Sequence, residues 1–264
     1  MKTILGSIYY KISPGVRFER IWKIAHIDFK KRYYDSYFGL IWALVNPLFR
    51  ISIFYFVFTV FFTRNIENFA LYLFSGLISW LYFKECTNKC LSTLVQKSYL
   101  IDSLQFDKID LFYSATISTM LGYMFNVSAY LIIAAISGIT FNVTLVAFLL
   151  IIVNLFIISM GIGMFLATIR IYFKDISYFW DLITLLGFWT CPIFFRGADI
   201  IEKASYLLYI NPMSGIIMNS RSMLMNGEWP DWYWMFYDLG FSIILFFIAR
   251  LIFNKYSHRA LEYM

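Results

Sequence analysis

Few residues in this chain have the types and spacing that chemistry requires. Cys86 and Cys90 stand four apart, on one face of any helix that carries them, and two thiolates so placed could share a metal ion. Such a site needs further ligands, and neither histidine, His26 or His258, is near in sequence. Two buried thiols in a helix is the plainer reading. An enzyme working in a membrane would want His, Asp or Glu clustered on one side, and the carboxylates here are scattered. There is no G-x-x-x-x-G-K-[ST] phosphate loop, so the chain is expected not to hydrolyse ATP alone. No catalytic residue, metal site or resident cofactor is expected.

What the sequence does concentrate is positive charge near its start and aromatic rings throughout. Lys2, Lys11, Arg17, Arg20, Lys23, Lys30, Lys31 and Arg32 all precede residue 38. A cluster of this kind can meet phosphate at a membrane surface. Trp42, Phe49 and Phe56 are spaced by seven, which keeps them close to one line on a helix. Asn46 lies near that stripe and can hydrogen-bond hydroxyl groups. The stripe reads either as a stacking surface along a path or as packing against other helices. Arg50 falls inside an apolar run, where an arginine costs about 2.5–3.5 kcal/mol at the bilayer centre. Either it faces a polar path or partner, or it snorkels to the headgroups.

The elements that position these residues follow from composition. Of 264 residues, 61% are hydrophobic and only 14% charged, with mean hydropathy +0.68. Soluble domains carry about 25% charged residues. Apolar runs of 18 or more residues read as helices crossing a membrane. No cleavable signal peptide is evident in the first fifteen residues. The net charge of +6 does not point to nucleic acid, because the basic residues sit where membrane proteins keep their cytoplasmic charge.

The chain thus reads as an all-α membrane protein with six transmembrane helices, at about 38–62, 69–96, 111–137, 143–169, 176–195 and 232–253. The second span turns polar at Lys84, Glu85, Asn88 and Lys89, so its later half is expected to face protein or water. Before the spans, Phe18, Trp22, Ala25 and Phe29 recur at helical spacing. Residues 1–37 therefore read as carrying an amphipathic helix, lying in the interface or solvated. With the N-terminus inside, the inner segments hold fourteen lysines and arginines and the outer segments four. That bias predicts both termini in the cytoplasm, with 254–264 as a cytoplasmic tail. Residues 196–231 suit two short helices broken at Asn211 and Pro212, with Gly227 capping the second. They form either a re-entrant pair dipping into the outer leaflet or a small external cap. Gly161 and Gly163, beside Ser159 and Ala167, predict close helix packing.

Four stretches together carry a resemblance. "KKRYYDSYFGLIWALVNPLFR" (30–50) resembles the opening of the first span in ABC-2 type polysaccharide-export permeases. "IRIYFKDISYFWDLITLLGFWTCPIFF" (169–195) resembles their second signature, through Arg170, Lys174, Asp175, Trp180 and Pro192. "YINPMSGIIMNSRSMLMNG" (209–227) is similar to their stretch after the fifth span, and "FNKYSHRALEYM" (253–264) to their tail. The match covers nearly the whole chain and is nearest to O-antigen ABC exporter transmembrane subunits (Wzm-like). Teichoic-acid and capsular polysaccharide exporter permeases are near neighbours.

The resemblance implies a single membrane domain over 1–264 in the bacterial cytoplasmic (inner) membrane. It implies a homodimer bound to two copies of a separate ABC nucleotide-binding subunit, which would hold the ATP and magnesium. The implied substrate is a glycan on a polyprenyl pyrophosphate, moved between leaflets. On this footing Trp42, Asn46, Phe49, Arg50 and Phe56 are expected along the substrate path. Arg17, Arg20, Lys30, Lys31 and Arg32 are expected to receive the lipid phosphate. Tyr99, Leu100, Ile101, Asp102, Phe106 and Lys108 are expected to couple to the ATPase, and Asn211 and Pro212 to hinge an outer gate. One departure stands out: "YLIDSLQFDKID" (99–110) is acidic and lacks proline, where the family's segment is commonly basic with one. The rival reading is an ABC-2 permease for drugs or small hydrophobic molecules, which usually lacks the aromatic-basic opening.

Overall fold

The computed structural model describes residues 14–33, 39, 41–62, 68–98, 107–197, 201–202 and 205–256. In chain order the helices are α1 (Pro14–Tyr33), α2 (Ile41–Phe62), α3 (Phe69–Gln96), α4 (Lys108–Ile136), α5 (Phe148–Tyr172), α6 (Ile176–Thr190), α7 (Tyr206–Ile210), α8 (Met213–Arg221) and α9 (Trp232–Tyr256). A short 3₁₀ turn, Val143–Ala147, leads into α5, and one π turn, Ser222–Asn226, continues α8. Every described element is helical. Backbone amides in hydrocarbon have no water to bond, and a helix satisfies them within itself.

Four helical stretches are long and apolar enough to cross a membrane: Ile41–Val60, Lys108–Ile136, Val143–Tyr172 and Trp232–Tyr256. The other two predicted spans form helices with different properties. With 28 residues, α3 is about 42 Å long, but Lys84, Glu85 and Lys89 dilute its hydropathy. The 15 residues of α6 reach only about 22 Å. This helix stops at Thr190 rather than running on to 195. Pro192 lacks an N–H and disfavours helical geometry in the residue before it, so Cys191 turns to extended backbone.

The core is built around α5, which packs against α3 and α9, with α4 against α3. Small residues permit the closest approaches. A Cβ on Gly163 would fall inside the van der Waals envelope of Cys90, and one on Gly161 would press on Phe246. The predicted close packing of α5 therefore joins it to α3 on one face and α9 on the other. Cys86 and Cys90 are both buried, and no cluster of metal-binding side chains occurs among the described residues.

Candidate functional site

A cavity of about 970 Å³ opens between α1, α2, α3 and α4. Its walls hold Lys31 and Arg32 from α1, and Trp42, Asn46 and Arg50 from α2. It thus brings together residues the sequence reading divided between a phosphate-receiving group and a substrate path. Arg50 donates to Asn46 at 3.1 Å, one turn back on α2, and both are exposed. Pro47 lies between them in the same wall. Lacking an N–H, it leaves the carbonyl of Ala43, also in the wall, without its helical donor. Phe49 and Phe56 are not in this wall; they are 66% and 61% exposed elsewhere on α2.

The far wall is the polar half of α3. Lys84, Glu85, Asn88 and Lys89 face the cavity, joined by Lys97 just past the helix end. The lining holds six cations, Lys31, Arg32, Arg50, Lys84, Lys89 and Lys97, against two acids, Asp28 and Glu85. The residues that make a 28-residue helix too polar for a simple span are those that make this cavity attractive to anions.

Several of these charges tie α1 to the bundle. Arg32 forks onto Glu85, and Asp28 accepts from Lys97 at 2.5 Å. At the other end of α1, Arg17 donates to Asp110 at 2.8 Å through Nε and to Asp107 at 3.0 Å, while Arg20 donates to Asp110 at 2.9 Å. The hydrogen bond to Asp110 raises the Arg17 pKa further above its usual value, outweighing the opposing effect of burial. Arg17 and Arg20, expected to receive phosphate, thus hold carboxylates of the chain itself and lie outside the cavity wall. Two acids of the unusual 99–110 segment have these arginines as partners. Asp107 also accepts from the backbone N–H of Ile109 and caps α4. Lys108 begins that helix, and Tyr99, Leu100, Ile101, Asp102 and Phe106 lie outside the described residues.

At the turn between α5 and α6, Lys174 and Asp175 are exposed and Arg170 is half-buried. Trp180 is buried and donates its indole N–H to Thr87 Oγ1 at 3.0 Å, fixing α6 on α3. Past Thr190 the backbone leaves the helix, and its carbonyls need donors. Arg221, only 7% exposed, supplies them. Its guanidinium donates to the carbonyl of Pro192 at 2.8 Å, to those of Tyr72 and Ile193 at 3.3 and 3.4 Å, and lies over the Tyr72 ring. Asn211, between α7 and α8, sends its side-chain amide to the Gly187 carbonyl, Thr190 Oγ1 and Cys191 Sγ. Pro212 is the residue just before α8, at its N-terminal cap, and Gly227 ends the π turn at φ +64°, a left-handed position that glycine adopts freely. The same end of the bundle is thus clasped by Asn211 and Arg221. In the sequence Arg221 is one of the four outer basic residues, and a lone arginine in an apolar stretch is a signal for buried acceptors.

The profile of the family described as ABC-2 type transporter matches residues 19–225. Two proteins from Klebsiella pneumoniae, each named O-antigen export system permease protein RfbA, are 27% identical to this chain over 258 residues, covering 97% of it and 99% of the relative. A protein of the same name from Myxococcus xanthus is 22% identical over 230 residues, 86% of this chain and 88% of its own length.

Proposed function

The chain belongs to the ABC-2 type transporter family, and we propose that it is the permease subunit of an exporter moving a polyprenyl pyrophosphate-linked polysaccharide, such as O-antigen, out of the cytoplasmic leaflet. The observation that carries this reading is the cavity between α1, α2, α3 and α4. It places an aromatic ring, Trp42, and an amide, Asn46, beside an excess of cations. A sugar chain needs stacking and hydrogen bonding without tight charge; its pyrophosphate needs cations. A purely apolar cargo would need neither. The full-length similarity to proteins named as O-antigen export permeases supports the same substrate class.

In this reading the chain works as a homodimer with two copies of a separate ATPase, which hold the ATP and magnesium. Residues 99–110, with Lys108, couple to that subunit, and the turn of Arg170, Lys174 and Asp175 faces the cytoplasm. Six segments cross the inner membrane, with α3 and α6 completing their crossings against protein rather than lipid. The helices around Asn211 and Pro212 re-enter from the outer leaflet as a gate. Trp42, Asn46 and Arg50 begin the path, and Phe49 and Phe56 extend it along α2. Lys30, Lys31 and Arg32 receive the lipid phosphate, while Arg17 and Arg20 seat the helix that presents them.

Deletion of the gene tests the function. Surface glycan should disappear, and undecaprenyl-linked glycan should accumulate inside the cell. Unchanged surface glycan with no internal accumulation would reject the proposal. Single cysteines at Ser103 and Asp199 test the topology. They should label from opposite sides, and labelling of both from outside would end the six-span arrangement.

A further inference from the structure

Asp28 sits at the centre of an unusual charge arrangement. One carboxylate on α1 faces two ammonium groups, Lys97 Nζ at 2.5 Å and Lys89 Nζ at 3.7 Å. Lys89 also donates to Ser118 Oγ on α4 at 2.8 Å. The three charged side chains keep only 15%, 12% and 23% of their surface exposed for Asp28, Lys97 and Lys89. All three open onto the same cavity, where Asn88 and Gln96 offer amides beside them. Two cations held close in a poorly hydrated wall repel one another, and a shared anion is what makes the arrangement tolerable. Here that anion is supplied by a neighbouring helix, and a single negative charge leaves the trio with a surplus of one positive.

A phosphate oxygen accepts from an ammonium as a carboxylate oxygen does, and a pyrophosphate brings more negative charge. We propose that Lys89 and Lys97, with Ser118 behind them, form a phosphoanion site that Asp28 occupies as a stand-in until an anionic headgroup displaces it. The identity of that headgroup, a lipid pyrophosphate, rests on the export reading above. The exchange has a mechanical consequence. Asp28, together with Arg32 on Glu85, ties the later part of α1 to α3, whereas Arg17 and Arg20 tie the earlier part to α4. Displacing Asp28 weakens that end of α1, with the Arg32–Glu85 ion pair remaining there, while the other end stays clamped, so headgroup capture is coupled to movement of α1. The linkage is reciprocal: release of Asp28 raises affinity for the anion by the same factor by which anion binding favours that release.

The test uses the full-length chain in phosphatidylcholine nanodiscs, with farnesyl pyrophosphate as the probe and a nitroxide label at Ile27→Cys, an exposed position beside Asp28 in the later part of α1. The three native cysteines are buried and leave that position to react. In the otherwise native chain, the probe should bind and mobilise the label. Asp28→Asn, nearly isosteric, should bind on the order of tenfold tighter and show a mobile label before any probe is added. The double variant Lys89→Gln, Lys97→Gln should bind on the order of tenfold more weakly, and Lys89→Arg, Lys97→Arg should keep affinity. Competition by inorganic pyrophosphate as strong as the probe's own binding would assign the site to a soluble phosphoanion. Competition by phosphatidylglycerol in the disc would assign it to bulk lipid headgroups. Either supports the site and changes its source. Absence of probe binding, or affinity unchanged or lowered in a normally eluting Asp28→Asn protein, overturns the proposal. If deletion abolishes surface glycan while these variants bind alike, the stand-in fails and the export reading survives. If deletion leaves glycan intact while Asp28→Asn still tightens binding, the export reading fails and the site survives.

Discussion

Replacing Asp110 by Asn removes one charge from a fully buried carboxylate and leaves its shape almost unchanged. The carboxylate accepts from Arg17 at 2.8 and 2.5 Å and from Arg20 at 2.9 Å. A hydrogen bond to a charged group contributes about 1.5–3 kcal/mol. The full sum does not apply. The Arg17 side chain is 42% exposed and can rehydrate, so its share is screened to roughly 0–1 kcal/mol. Arg20, 25% exposed, keeps more of its share, and the new amide still accepts one bond. The net loss is about 2 kcal/mol of α1 docking, equivalent to a roughly thirtyfold larger undocked population. Hydrogen exchange of the purified permease in nanodiscs reads this directly. Amides of residues 17–25 should exchange roughly thirtyfold faster, while α5 and α9 stay unchanged. The effect should be non-additive with Arg17→Gln, because the two share one interaction. Exchange in α1 equal to the unmodified protein, or strict additivity of the pair, would refute the clamp.

Arg221→Met should leave the carbonyls of Pro192 and Ile193 without this buried donor, at about 1–3 kcal/mol each, while the Tyr72 carbonyl keeps Ser75 Oγ as a donor. It should lower the temperature at which the detergent-solubilised protein loses its gel-filtration peak, with Arg221→Lys intermediate. Gly163→Ala forces a methyl against Cys90 and should cost about 1–3 kcal/mol in the same assay. Gly240→Ala, which meets nothing within 4 Å, should be neutral or slightly stabilising. The triple variant Trp42→Ala, Phe49→Ala, Phe56→Ala should severely reduce export per folded complex. Each ring contributes no more than the roughly 1–3 kcal/mol of a base-stacking aromatic, so single variants should only slow it. Normal export per folded triple variant would show that the stripe is packing or lipid contact.

What the sequence determined by itself is what short-range physics writes into it. The apolar runs dictated helices, because the backbone in hydrocarbon has no other partner. The Asn211–Pro212 pair marked a break and Gly227 a left-handed cap, through the local geometry of those residue types, whereas the break at Pro192, inside the expected span 176–195, emerged only in the structure. Gly161 and Gly163 announced close packing, though not that one meets α9 and the other α3. Tertiary structure decided which charges meet. Arg17 and Arg20 lie some 90 residues from the carboxylates they hold, and nothing in either stretch names the other. The sequence therefore offered them to phosphate, while the fold gave them Asp107 and Asp110. Asp28, Lys89 and Lys97 read separately as scattered polar residues. Only the docking of α1 on α4, which brings Asp28 within reach of the α3 lysines, makes them one site. Burial multiplies a charge's energy, and burial is a property of the assembled helices, so the electrostatic design became visible only once the bundle was closed.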